Sequence, residues 1–208
     1  MTMIQLSTAD IESQITNYHL QFTPIKDDEI EWQFKPPPFV AAFIELIDRL
    51  ARIPSQRELT AFYIAKNRDE LNREFLAKWD QSKRAAKKRA LIARLERAYP
   101  SFVRDLYLLA LLRENGFRVH YDPNQDVEGG VDLIIEHAHR KIQLHVFLDT
   151  PRSHQGRAKK DRRHAFSGEH FDLVLCREQC NQVGAFWLPT RAHSQLLRER
   201  LNLKDDVR

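Results

Sequence analysis

Apolar positions along this chain follow two periods, and the change from one to the other falls near Gly116. Phe39, Val40, Phe43, Ile44, Ile47 and Leu50 recur at threes and fours and predict a helix with one apolar stripe. Ile53-Pro54-Ser55 breaks it, and Ser55 with Glu58 three residues later has the form of a capping box opening a second helix through Leu59, Phe62 and Ile64. A third helix is predicted from Asp69 through Arg97 and a fourth from Ser101 to Glu114, with a break at Pro100. Leu106 to Leu112 leaves the fourth helix almost no polar side, which implies contact on more than one face. Asn115-Gly116 ends it, Gly116 standing where a left-handed cap is needed.

Beyond Gly116 the period shortens to two. Strands are predicted at Phe117 to Tyr121, Val131 to Glu136 and Lys141 to Leu148, the last two joined as a hairpin by His137-Ala138-His139-Arg140. Alternation places Asp132 with Ile134, and Gln143 with His145, on definite faces of neighbouring strands. Asp122, Asp126 and Glu128 sit in the loop before the hairpin, and Gly129-Gly130 permits close backbone approach there. A helix that Ser153 could cap, strands at Phe171 to Cys176 and Gly184 to Leu188, and a closing helix from Ser194 to Leu203 complete the chain. Ahead of Phe39, residues 1 to 21 suit a short helix or a loosely docked arm. Ile30, Trp32 and Phe34 give a weak strand signal that ends at Pro36-Pro37-Pro38. The organisation expected is an arm (1–38), a helical domain (39–94) and an α/β domain (95–208).

Composition allows this, since 208 residues with 42% apolar content supply a full core and a smaller domain. Cys176 and Cys180 form neither a disulfide framework nor a zinc quartet, so a reducing, cytoplasmic location is expected. The chain shows no basic start followed by an apolar stretch and no run near the about 18 apolar residues a membrane span requires. No membrane partner is expected.

Net charge is only +4, yet the cations cluster. Lys83, Arg84, Lys87 and Lys88 fall within the third helix, with Lys83 and Lys87, and Arg84 and Lys88, four apart on shared faces. Arg152, Arg157, Lys160 and Arg163 form a second cluster after Asp149-Thr150-Pro151. Each cluster reads either as a solvated helix face or as a contact for the phosphate backbone of a nucleic acid.

Helix, strand, Gly-x-Asp strand and Gln-x-His strand resembles the PD-(D/E)XK, restriction-endonuclease-like superfamily, in its branch where Gln replaces an acidic residue. The resemblance covers roughly residues 95 to 190. Asp105, eleven positions before Gly116-Phe117, stands where that branch carries a helical acid; Glu96 is a rival. Asp132 matches the metal-binding Asp and Gln143 opens the last motif, while His145 stands in place of the usual Lys. The resemblance implies a restriction-endonuclease-like α/β core of order α-β-β-β-α-β around a central mixed sheet. It implies catalytic roles for Asp105, Asp132, Gln143 and His145, and Mg2+ or Mn2+ held by Asp132, Gln143 and Asp105.

On that resemblance the chain is expected to hydrolyse DNA phosphodiester bonds, as in restriction, repair or mobile-element defence, either as a homodimer or with protein partners. RNA remains an alternative substrate, since backbone contacts do not choose between nucleic acids. His145 could serve as a general base or ligate Mn2+, because imidazole is mostly neutral near pH 7.5. Its departure from Lys equally fits a second reading, a non-catalytic nucleic-acid-binding or assembly subunit that keeps the fold. Each site residue also has an ordinary structural reading: a first-turn carboxylate for Asp105, a core imidazole for His145.

Overall fold

In the computed structural model, residues 6–122, 125, 131–163 and 168–203 are described; the side chains of 74–76, 152 and 159–163 are not. The chain divides into two compact units, Tyr18–Phe102 and, among the described residues, 6–17 with 103–203. This boundary falls inside a helix, eight residues beyond the expected one, and the first helix belongs to the later unit.

The first unit is helical. Helices α2 (Phe39–Leu50) and α3 (Gln56–Lys66) form as their apolar spacing predicts, and the Ser55–Glu58 capping box is present. Helix α1 (Thr8–Ile15), which belongs to the second unit, has a capping box of its own, Ser7 with Asp10. The weak strand signal at Ile30 to Phe34 gives instead a single wide turn, Glu29–Gln33, because Asp27 Oδ1 accepts the Ile30 N–H at 3.1 Å and starts a turn. Asp69 to Lys78 is a series of short turns, and α4 runs from Gln81 to Glu114 through Pro100 without a break.

Uninterrupted passage through Pro100 has a local cause. Proline donates no hydrogen bond to the carbonyl four residues back, here that of Glu96. Gln56 Nε2 donates to that oxygen at 3.0 Å and also to Gln21 O at 3.1 Å, while Gln56 Oε1 accepts the Gln21 N–H at 2.8 Å. A side chain only 6% exposed thus supplies the bond that proline lacks.

The second unit is α/β. Its portion of α4 is buried from Val103 to Leu112 except at Asp105, as its all-apolar run requires. Gly116 caps the helix at φ +79°. Helix α1 is docked rather than a loose arm: Ile11 and Ile15 are fully buried, Tyr107 donates to Glu12 at 2.6 Å, and Thr8 N–H and Oγ1 bond the Glu114 carboxylate. A four-stranded sheet has the order β1-β2-β3-β4, from strands β1 (Arg118–His120), β2 (Leu133–His137), β3 (Arg140–Leu148) and β4 (Glu169–Leu175). The pairs β1–β2 and β2–β3 are antiparallel and β3–β4 is parallel, so the sheet is mixed. Helix α5 (Pro151–Arg163) makes the crossover to β4. Its N-terminus is capped by Thr150, whose Oγ1 accepts the Ser153 N–H, rather than by Ser153. A small hairpin of β5 (Asn181–Val183) and β6 (Phe186–Leu188) and helix α6 (Arg191–Arg200) follow. Both cysteines are free thiols, and no described helix is long and apolar enough to cross a membrane.

Two stability outcomes follow from the first unit. Gln56→Ala strands the Glu96 carbonyl and should lower unfolding free energy by about 2 kcal/mol in a denaturant titration. The Arg52 guanidinium and the Ser55 N–H hold the Glu58 carboxyl down at about 2, from an ordinary 4.5. A carboxyl lowered on folding contributes stability present above pH 4.5 and lost as pH falls towards 2. Glu58→Gln should therefore flatten the acid limb of stability in that window and leave its slope near neutrality unchanged.

Candidate functional site

Sheet register decides which side chains meet. Ile134 pairs with Gln143, and Gln143 with His170 of β4; His120 of β1 pairs with Ile134. His145 pairs with Asp172, and continuing the β2–β3 register by one residue sets Asp132 opposite His145. Directly paired residues project to the same side. One face therefore carries Asp132, Gln143, His145, His170 and Asp172, while the other carries the apolar set Leu133, Ile135, Ile142, Leu144, Val146, Leu173 and Leu175.

Asp132 enters β2 with its backbone and side chain both committed to β3. Its N–H donates to Leu144 O at 3.0 Å, and its Oδ2 accepts the Val146 N–H at 2.6 Å. Gln143 is half-buried, with Nε2 3.5 Å from Gln125 Oε1. His145 is 1% exposed, its ring meeting that of His170 edge-on at 6.4 Å between centroids. Its neighbours on the face are thus a carboxylate on either side and a second imidazole.

Helix α5 lies against this face. Arg157, 9% exposed, forks onto Asp172, with Nε 2.8 and 2.9 Å from the two carboxylate oxygens. His154 bonds Asp149 at 2.8 Å and meets the Phe147 ring edge-on. The charge-assisted fork sets α5 against β4 at the level of His145.

Of the residues named from sequence, Asp132, Gln143 and His145 share one face. Asp105 is half-buried on α4. Its rival Glu96 is occupied in the first unit, where its Oε2 accepts from Thr23 N–H and Oγ1. Among the described residues no group of three or more His, Cys, Asp or Glu stands close enough to hold a metal ion. Asp126, Glu128 and Gly129-Gly130 lie outside the described residues, as do the side chains of Arg152, Lys160 and Arg163.

The cations of the two basic clusters differ in what faces them. Lys87, expected on a phosphate-facing surface, is held by Asp27 at 2.8 Å and Glu29 at 2.7 Å and lies over the Trp79 ring. Arg157, expected to face phosphate, is the buried partner of Asp172. Arg84 donates through Nε to Trp79 O, Lys83 is exposed, and Lys88 lines a groove of the first unit. Sequence reasoning missed His170 and Asp172; the polar-apolar alternation of β4 carried the signal, but only the parallel register says whom they face.

Comparison of the chain with family models, curated proteins and solved structures finds no match.

Because Arg157 is the more buried partner, Asp172→Ala leaves a desolvated cation and should cost about 3 kcal/mol, whereas Arg157→Met leaves a half-exposed carboxylate and should cost less than about half of that. Chemical denaturation of the two variants measures the asymmetry.

Proposed function

We propose that the second unit is a metal-dependent phosphodiesterase acting on nucleic acid, with DNA as its first substrate. The observation that carries this reading is the shared face of Asp132, Gln143 and His145, with α5 at its side. Further support comes from the order of elements, a helix, three strands, a helix and a strand around a mixed sheet, which is the restriction-endonuclease-like order expected from the motifs.

The donors fit a hard cation. Asp132 keeps Oδ1 beyond its bond to Val146, and Gln143 offers an amide oxygen, which suits Mg2+ or Mn2+ completed by waters and substrate phosphate. Asp132 and Gln143 would hold the ion, and Asp105 would contribute through water. Such an ion supplies an activated water and neutralises charge on the phosphate. His145, set between Asp132 and Asp172 in the sheet register, orients the attacking water and accepts its proton from the position where the resembling family carries Lys. Lys83 and Arg84 serve as backbone-phosphate contacts of the first unit.

A second reading has its own observation. His145 is almost wholly enclosed and one Asp132 oxygen is spent on Val146, as befits a sheet that keeps its form without chemistry. Under that reading the protein is a nucleic-acid-binding or assembly subunit.

Asp132→Asn separates the two, since the amide oxygen still accepts the Val146 N–H while the charge is gone. Purified protein should nick supercoiled plasmid with Mg2+ or Mn2+, and the variant should lose about a hundredfold or more of that activity at unchanged melting temperature. Cleavage unaffected by the substitution removes Asp132 from the chemistry; salt-dependent binding without cleavage in the parent supports the subunit reading. Joint Lys83→Ala and Arg84→Ala should lower the slope of log affinity against log salt by up to about 2, while Lys87→Ala should lower stability and leave the slope alone.

A further inference from the structure

The first unit holds a feature that phosphodiester chemistry does not use. A groove of about 690 Å³ runs between α3 and the first half of α4. Its α3 wall is built from Arg57, Thr60, Ala61, Ile64 and Ala65, the i, i+3, i+4, i+7, i+8 series of one helical face, with Arg68 just past the end of the helix. The opposite wall repeats the spacing with Lys88, Leu91, Ile92 and Glu96. Helix α3 already buries its other side, through Leu59 and Tyr63, so it presents a second apolar face to this groove.

The lining narrows the occupant. Gln56 is spent on Gln21 and Glu96, and Glu96 on Thr23, while Ile64, Leu71, Leu91 and Ile92 supply aliphatic carbon. None of the lining residues is aromatic, so a nucleobase would find no ring on which to stack. Exposed Ala61 and Ala65, one turn apart, let a backbone come close.

Arg57, Arg68 and Lys88 are exposed and carry no side-chain hydrogen bond or ion pair among the described residues, whereas Arg49, Arg52, Lys66, Lys87 and Arg97 are each matched with an acid. Arg57 stands in the first turn of α3 and Arg68 just beyond its C-terminal end, so the two cations bracket a wall of about three helical turns. A single-headed amphiphile such as a fatty acid would satisfy one end only.

We propose that this groove docks an acidic amphipathic helix of a partner protein. Aliphatic side chains of about three turns fill the floor, and carboxylates near both ends meet Arg57 and Arg68, with Lys88 on the far wall.

The test is fluorescence anisotropy of the full chain with a labelled synthetic helix of about sixteen residues, bearing Leu and Ile on one face and Glu in its first and last turns. Saturable binding is expected, weakened about tenfold or more by Arg57→Glu with Arg68→Glu and restored when Lys replaces Glu in the peptide. Circular dichroism of the variant establishes that it is folded. Absence of saturable binding, binding indifferent to the charge reversal, or binding of laurate in place of the peptide would each overturn the proposal.

Discussion

Everything that could be chemical in the second unit depends on the register between β2 and β3. Asp132 pins that register twice, through its N–H on Leu144 and its carboxylate on Val146. Side chains alternate along a strand, so a slip of one residue would send Asp132 into the apolar face and turn Leu133 and Ile135 outward. The same carboxylate that a metal would recruit is therefore already part of how the sheet is aligned.

Register extends the site to residues that no local motif marks. The parallel pairing of β3 with β4 sets His170 beside Gln143 and Asp172 beside His145, and Asp172 in turn holds Arg157. An arginine that reads as a surface cation thus becomes the pin between α5 and the sheet. Its cost of desolvation is met by a two-pronged, charge-assisted bond.

The helical unit shows a similar economy around Pro100. A proline predicts a break because it removes a donor, but the helix continues where a buried amide supplies the missing bond from outside. Gln56 does so from the first residue of α3, which ties α3 and α4 together and shapes the wall of the groove between them. Basic residues of α4 then divide by what faces them. Lys87 is neutralised by Asp27 and Glu29, Lys88 looks into the groove, and Lys83 is left to solvent.

Local rules made much of this legible in the sequence alone. The capping box at Ser55 and Glu58, the left-handed cap at Gly116, the hairpin turn at His137 to Arg140 and the alternation that puts Gln143 with His145 all depend on residues close together in the chain, where sterics and hydrogen bonding act without help. Fold class followed from the change of apolar period. What the chain does at Pro100, at Asp27 beside Lys87, at Arg157 beside Asp172 and across β3 and β4 was decided by tertiary structure. In each case the partner lies 15 to 60 residues or more away, as with Arg157 and Asp172 or Lys87 and Asp27, and the free energy of a charge or an unbonded carbonyl depends on that partner rather than on sequence neighbours.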